Sequence, residues 1–255
     1  MISYNIFRLI CIESEFDTLK KLKYIKYSDQ IVNEIFDAKE QEIINILKTN
    51  SISLKYIDTQ TVKICLEAVK LNCLDFQYVN IENQTEEICL EAVKQDGLVI
   101  IYVQNQTENI CLEAVKQNGL AIQYINNQTE NICLEAVKQN GLAIQYINNQ
   151  TENICLEAVK QNGLAIQYIN NQTDEICLES VKQNGLALQY VDVQTEELCK
   201  IAYEQNNEAG YYVKDERSLY YKKREPFFYN ANFANYAKNY NILRIISGMS
   251  GLAYS

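Results

Sequence analysis

The chain has 255 residues, 47% of them hydrophobic and 22% charged, and a formal net charge of −10. That charge disfavours broad electrostatic binding to nucleic acid or to an anionic membrane. Histidine and tryptophan are absent, and the lack of histidine excludes Ser-His-Asp and Cys-His nucleophile systems, His-based acid–base catalysis and every His-containing zinc site.

The first residues, MISYNIFRLICIE, are apolar but short. They lack a basic n-region and a small-residue cleavage site, and Arg8 interrupts them, so the expectation is against a signal peptide and secretion. No run of 18 apolar residues follows, so no membrane span is expected. Residues 1–38 are assigned to an N-terminal cap, made basic by Lys20, Lys21, Lys23 and Lys26. From residue 39 a 22-residue unit governs the chain. A worn copy spans about Lys39 to Gln60, and looser copies begin at Thr61, Thr85, Thr173 and Thr195. Between them the string TENICLEAVKQNGLAIQYINNQ is written three times without a change, from Thr107, Thr129 and Thr151. Such a short period marks a solenoid, in which each unit buries its apolar face only against its neighbours.

One copy, Thr129 to Gln150, predicts two elements. Thr129 is a good N-cap and Glu130 suits the positive end of a helix. Ile132, Cys133, Leu134, Ala136 and Val137 share one arc at 100° per residue, with Glu135, Lys138 and Gln139 opposite. Asn140-Gly141 ends this helix of about 11 residues, with Gly141 fit for a left-handed C′ position. Leu142 to Asn148 predicts a second helix of about 7 residues, with Leu142, Ala143, Ile144, Tyr146 and Ile147 inward and Gln145 and Asn148 outward. A strand there is the competing reading, but strict alternation fails because Tyr146 and Ile147 are adjacent. The expected fold class is therefore all-α: an α-solenoid of about eight 22-residue helix-turn-helix repeats over 39–214, capped by 1–38 and 215–255 and roughly 60–80 Å long.

Two departures stand out. In the copy starting at Thr61, Cys73 takes the glycine place and two extra residues precede Thr85, so a bulge or kink is expected there. In the last copy Asn207 takes the glycine place. The cysteines at 65, 89, 111, 133, 155, 177 and 199 fall at the centre of the first helix's arc. They predict buried, reduced core residues, because one cysteine per repeat lacks the paired spacing of a zinc site. Neighbouring helices about 8–10 Å apart are also too distant for disulfides. Five Asn-x-Thr sequons, at Asn83, Asn105, Asn127, Asn149 and Asn171, read as turn plus cap rather than as glycosylation sites.

The phrase ICLEAVKQNGLAIQYI and its copies, with Gly185 to Tyr190 reading GLALQY, resemble a short helical repeat family of unknown function common in mimivirus-like giant viruses and also seen in protists and bacteria. Its hallmark is a helix ending AVKQNG followed by LALQY or LAIQY. The resemblance covers residues 61–194. It implies an α-solenoid and a giant-virus origin, hence a place in the host cytoplasm or the virion, and it implies no activity.

Identical repeats offer the same surface again and again, whereas a catalytic site needs different residues at different places. The expectation is a non-enzymatic scaffold for protein–protein interaction, without cofactor or metal. The candidate interaction face is an uncharged ladder on the second helix: Gln123, Asn126, Gln145, Asn148, Gln167, Asn170 and Gln189. Helical repeats that read RNA also use such residues, but in a basic groove, and this array is acidic. After Pro226, Tyr229, Phe233, Tyr236 and Tyr240 fall at helical spacing. This stripe is a candidate terminal docking site, and the alternative function is a structural protein that self-assembles through it as a homo-oligomer.

Overall fold

The computed structural model of the chain describes Ile12, residues 29–50 and residues 52–214. Among these residues there is no strand. Helix α1 is Asp29–Asn50, followed by a short 3-10 turn, Leu54–Tyr56. It runs through the 38/39 boundary expected from the repeat pattern. Seven ten-residue helices follow at the repeat spacing: α2 Val62–Leu71, α3 Glu86–Gln95, α4 Glu108–Gln117, α5 Glu130–Gln139, α6 Glu152–Gln161, α7 Asp174–Gln183 and α8 Glu196–Gln205. Each leads into a six-residue 3-10 helix: Cys73–Tyr78, Gly97–Tyr102, Gly119–Tyr124, Gly141–Tyr146, Gly163–Tyr168, Gly185–Tyr190 and Asn207–Tyr212. Successive α-helices pack on one another, and so do successive 3-10 helices, giving a two-layered α-solenoid.

The first element of each repeat forms as its residues demand. The hydroxyl of Thr129 accepts from the Ile132 amide at 3.4 Å, and its carbonyl accepts from Cys133. One face of α5 then buries Ile132, Cys133, Ala136 and Val137. Asn140, in extended conformation at φ −150° and ψ 108°, ends the helix. The same asparagine caps the second element, because its side-chain oxygen accepts from the Leu142 amide at 3.0 Å.

The second element is a 3-10 helix, not the α-helix that the 100° wheel predicts. Ala143 N–H donates to Asn140 and Ile147 N–H to Ile144, both three residues back. At three residues per turn, side chains at i and i+3 eclipse. Gly141, Ile144 and Ile147 thus form a buried edge, while Leu142 and Gln145 form an outer one. A 3-10 run of six is long for its kind. Ala143 and Ile144, both buried to 0% exposure, hold it against the neighbouring layers, and burying each isoleucine stabilises the fold by about 1.5–3 kcal/mol.

The glycine also has a different role from the one expected. Gly141 is not in the left-handed region. A Cβ built on it would lie 2.5 Å from the carbonyl oxygen of Ala158 in the next repeat and 2.8 Å from Oε1 of Gln161. Gly97, Gly119, Gly163 and Gly185 meet the same obstruction. Glycine is needed because two layers approach there, not because the chain turns left.

Two glutamines per repeat lock that approach. Gln161 Oε1 accepts from the Gly141 amide of the preceding repeat at 2.6 Å, and Gln139 does the same for Gly119 at 2.7 Å. Gln128, just before a cap threonine, donates to the Tyr146 carbonyl at 2.9 Å and accepts from the Asn148 amide at 3.1 Å. The second clasp recurs from Gln60 to Gln194. Each clasp satisfies backbone groups at a helix end that would otherwise be orphaned.

The irregular junction bulges. Its two extra residues form a further 3-10 turn, Ile81–Asn83, with Ile81 exposed and Asn83 buried and donating to the Gln60 carbonyl. Gln95 there reaches the Val69 carbonyl at 3.0 Å instead of making the regular bond to the glycine place. Despite the insertion, one hydrophobic cluster continues from Ile43 to Val213.

Candidate interaction face

The thiols are the groups that most resemble chemistry, and they are core. Cys65, Cys89, Cys111, Cys133, Cys155, Cys177 and Cys199 are buried and unpaired by disulfides. Burial pushes the Cys65 thiol up to about 12, and those of Cys89, Cys111 and Cys177 up to about 11. Cys133 and Cys155 are raised for the same reason. A thiol held protonated is a poor nucleophile and a poor metal ligand. Among the described residues no group of three or more His, Cys, Asp or Glu could hold a metal ion, and no helix is long and apolar enough to cross a membrane. A cavity of about 190 Å³ opens at the first junction, lined by Leu47, Lys48, Ile52, Ser53, Ala68, Leu71, Asn72 and Asp75. Its acid is engaged: Asp75 accepts from the Ser53 hydroxyl at 2.7 Å and the Leu54 amide at 2.9 Å.

On the helical layer, charges pair locally. Glu113 meets Lys116 at 2.8 Å and Glu179 meets Lys182 at 2.9 Å. Glu67 lies 2.7 Å from Lys48 and 3.2 Å from Lys70, and the Lys48 ammonium above all holds its carboxyl below the ordinary carboxylate value.

The 3-10 layer carries the candidate ladder. Gln123, Gln145 and Gln167 are exposed, as are Asn126, Asn148 and Asn170, and Gln189 is half-buried. Each ladder glutamine donates Nε2 to the backbone carbonyl three residues before it, at 3.0 Å: Gln123 to Leu120, Gln145 to Leu142, Gln167 to Leu164 and Gln189 to Leu186. A carbonyl partner requires the NH₂ end, so the amide's orientation is fixed. One of the two N–H donors is used, and Oε1 with the second N–H is left for solvent or a partner. The ladder therefore offers more acceptor than donor capacity. It is interrupted at Ile101, exposed where the following four repeats have glutamine.

The helical wheel placed the tyrosine beside each ladder glutamine in the core, and the structure does so only in part. Tyr102, Tyr146, Tyr168, Tyr190 and Tyr212 are 36–41% exposed, whereas Tyr124 is half-buried and packed against the core. At 120° per residue Tyr146 lies above Ala143 on the third edge of the 3-10 helix, neither fully buried nor outermost. The identical repeats carried this signal, but only a 3.0 period reads it. The Gln clasps of the loops were also missed, since their partners lie in another repeat. The terminal stripe, Tyr229, Phe233, Tyr236 and Tyr240, lies outside the described residues.

The edge where each 3-10 helix ends is acidic. The clasp from Gln128 to Tyr146 sets that end beside Thr129 and Glu130. Glu108 reaches along the same edge to accept from the Thr129 hydroxyl at 3.3 Å, and Glu86 from that of Thr107 at 3.4 Å. Residues 84–87, 104–109, 126–131, 148–153, 170–175 and 192–197 contain ten acids and no Lys or Arg. None of those acids has an ion pair among the described residues. In the repeats of α3 to α7 the lysines, Lys94, Lys116, Lys138, Lys160 and Lys182, stand in the helices' last turns, at the opposite edge, while Lys200 stands midway along α8.

In comparison with known families, the model described as "Domain of unknown function (DUF4116)" matches residues 61–107, 85–130, 107–151, 129–173 and 151–195. Each match spans two repeats and is stepped by one, and together they cover 61–195, more than half of the chain. No curated protein and no solved structure matches the chain.

Proposed function

The chain belongs to the family described as domain of unknown function DUF4116, and we propose that it is a non-enzymatic scaffold that binds a protein along the face of its 3-10 helices. The observation that carries this reading is the repeated presentation of exposed glutamine amides and partly exposed tyrosine rings on one layer from residue 119 to 190. Tyrosine combines large contact area with a polar tip and is favoured at protein interfaces. The helical layer, by contrast, presents Glu and Lys side chains of both signs, paired at Glu113–Lys116 and Glu179–Lys182, and exposed pairs of this kind are worth little. The setting we take for it is a giant-virus protein in the host cytoplasm or the virion, which rests on the AVKQNG–LAIQY motif alone.

The test is comparative capture from virus-infected cells. Tagged wild-type chain and a variant with Gln123, Gln145, Gln167 and Gln189 all changed to Lys are used as bait, and captured proteins are quantified by mass spectrometry. A control variant changes Lys116, Lys138 and Lys160 to Gln on the other layer. Loss of specific proteins with the ladder variant, and their retention with the control, is expected. An unchanged set with the ladder variant refutes the reading.

A further inference from the structure

We infer that the occupant of the tyrosine-lined face is a lysine- and arginine-rich polypeptide segment bound in extended form along the array. This deepens the scaffold reading and rests on it. The docking surface is the stripe formed by Tyr102, Tyr146, Tyr168 and Tyr190, each 36–41% exposed, with Tyr212 closing its end. Tyr124, between the first two, is half-buried against the core.

Three observations choose the occupant. First, each glutamine beside the tyrosines has turned its NH₂ end to its own backbone and given up one of its two N–H groups, leaving Oε1 unbonded among the described residues. Such a row keeps two acceptor lone pairs for each remaining donor, and Lys and Arg, with three and five N–H donors and no acceptor, match it. Second, the adjoining edge is acidic without exception in residues 84–197, and its carboxylates, unlike Glu113 and Glu179 on the helical layer, have no cation of their own. Third, the tyrosine faces suit cations, because ammonium and guanidinium groups are attracted to an aromatic ring within about 6 Å. From α3 to α7 the lysines stand in the helices' last turns, away from this edge, so a cationic chain laid on the stripe from Tyr102 to Tyr190 meets attraction, and Lys214, just after Tyr212, bounds it.

Extension follows from spacing. Layers of packed helices recur at about 8–10 Å, and an extended chain advances about 3.3 Å per residue, so about three residues of partner span one repeat. A basic residue every third position would meet each carboxylate in turn. An α-helix would need about six residues for the same rise.

The probe is a fluorescein-labelled 18-residue peptide of repeating Arg-Ser-Gly, read by fluorescence anisotropy with the full chain at physiological salt. A peptide of repeating Glu-Ser-Gly serves as the control. We expect the basic peptide to bind and the acidic one not to. Changing Glu108, Glu130 and Glu152 to Gln should weaken binding at least tenfold. Changing Tyr146, Tyr168 and Tyr190 to Ser should also weaken it at least tenfold, with circular dichroism showing that the array remains helical. If that variant unfolds, Gln123, Gln145 and Gln167 changed to Lys replace it, with the same expectation. Changing Lys116, Lys138 and Lys160 to Gln should leave affinity within twofold or improve it. No binding by the basic peptide overturns the inference. So does binding that falls with the Glu variant but not with the tyrosine or glutamine variant, which is diffuse polyelectrolyte attraction, and so does equal displacement by spermine at matched charge. Any of these leaves the capture result of the scaffold reading standing on its own.

Discussion

Changing Gly141 to Ala should destabilise the array, against the usual direction for this substitution. Where the backbone is compatible, Gly→Ala stabilises by about 0.4–1 kcal/mol through the unfolded chain. Here φ is compatible, but the added Cβ would lie 2.5 Å from the Ala158 carbonyl oxygen and 3.0 Å from Cβ of Asn162. Neither is the end of a flexible side chain, so the layers must separate by most of an ångström. Overpacking of this kind costs about 1–3 kcal/mol. Separation also stretches the 2.6 Å bond from the Gly141 amide to Gln161, worth about 0.5–1.5 kcal/mol. Setting cost against gain leaves a net loss of about 2 kcal/mol, or roughly 4–8 °C in Tm for a chain of this size. Urea titration followed by circular dichroism measures it, with a Gly163→Ala variant as replicate. The variant Gly141→Asn separates the two roles of glycine. Asparagine is tolerated at a left-handed C′ site, whereas a close approach excludes it more strongly than alanine. Unchanged or raised stability in Gly141→Ala, or a harmless Gly141→Asn, refutes the reasoning.

Gln128→Ala removes bonds to the Tyr146 carbonyl, the Ile122 carbonyl and the Asn148 amide and should cost about 2 kcal/mol; Gln145→Ala, which loses one exposed bond to its own helix, should stay within about 0.5 kcal/mol, so equal losses in a urea titration would show that the clasp is not structural. Stability should fall as pH rises from about 9 to about 11, because the unfolded chain ionises its thiols near 9.0 while burial holds those of Cys89, Cys111 and Cys177 up to about 11 in the folded state; a flat Tm across that window in a reduced sample would contradict it. At pH 8 the same thiols should react with a thiol reagent only as fast as the array opens, and prompt labelling of most of them would show them to be accessible. Deleting Thr129–Gln150 joins Gln128 to Thr151, where it can clasp the Tyr168 carbonyl as Gln150 does at 2.8 Å; the shortened chain should fold and lose one repeat's share of stability, and a failure to fold would refute nearest-neighbour packing.

The α-helices were legible because everything that sets them is local. Thr129 caps, Ile132 to Val137 make the apolar arc, and Asn140 stops the helix, all within twelve residues. The cysteine ladder followed from the same arc. What escaped the sequence depends on a neighbour. Six residues at 100° or 120° per residue differ too little to tell an α-helix from a 3-10 helix, so Tyr146 was set inside and stands partly outside. Gly141 has two good explanations locally, a left turn or a close approach, and only Ala158 in the following repeat decides between them. Gln128 looks like a turn residue until the next repeat's Tyr146 is in place. For the ladder, the wheel set Gln145 on the outer side, where it stands exposed, but the bond that gives one of its N–H groups to the Leu142 carbonyl belongs to the 3-10 geometry and was not legible.

The three identical repeats have a statistical consequence. A ligand short enough to be read by one repeat meets the same surface at 107–128, 129–150 and 151–172. Three equivalent poses add RT ln 3, about 0.6 kcal/mol, to its apparent affinity. They also leave it without an address, free to step between sites of equal depth. Only where the text of the repeat changes does position acquire meaning. Ile101 interrupts the row of glutamines on one side, and Asp192 and Val193 end the run of Asn-Asn loops on the other. A longer ligand that touches either mark is held in one frame, and the uniform centre then acts as a graduated rule between two stops.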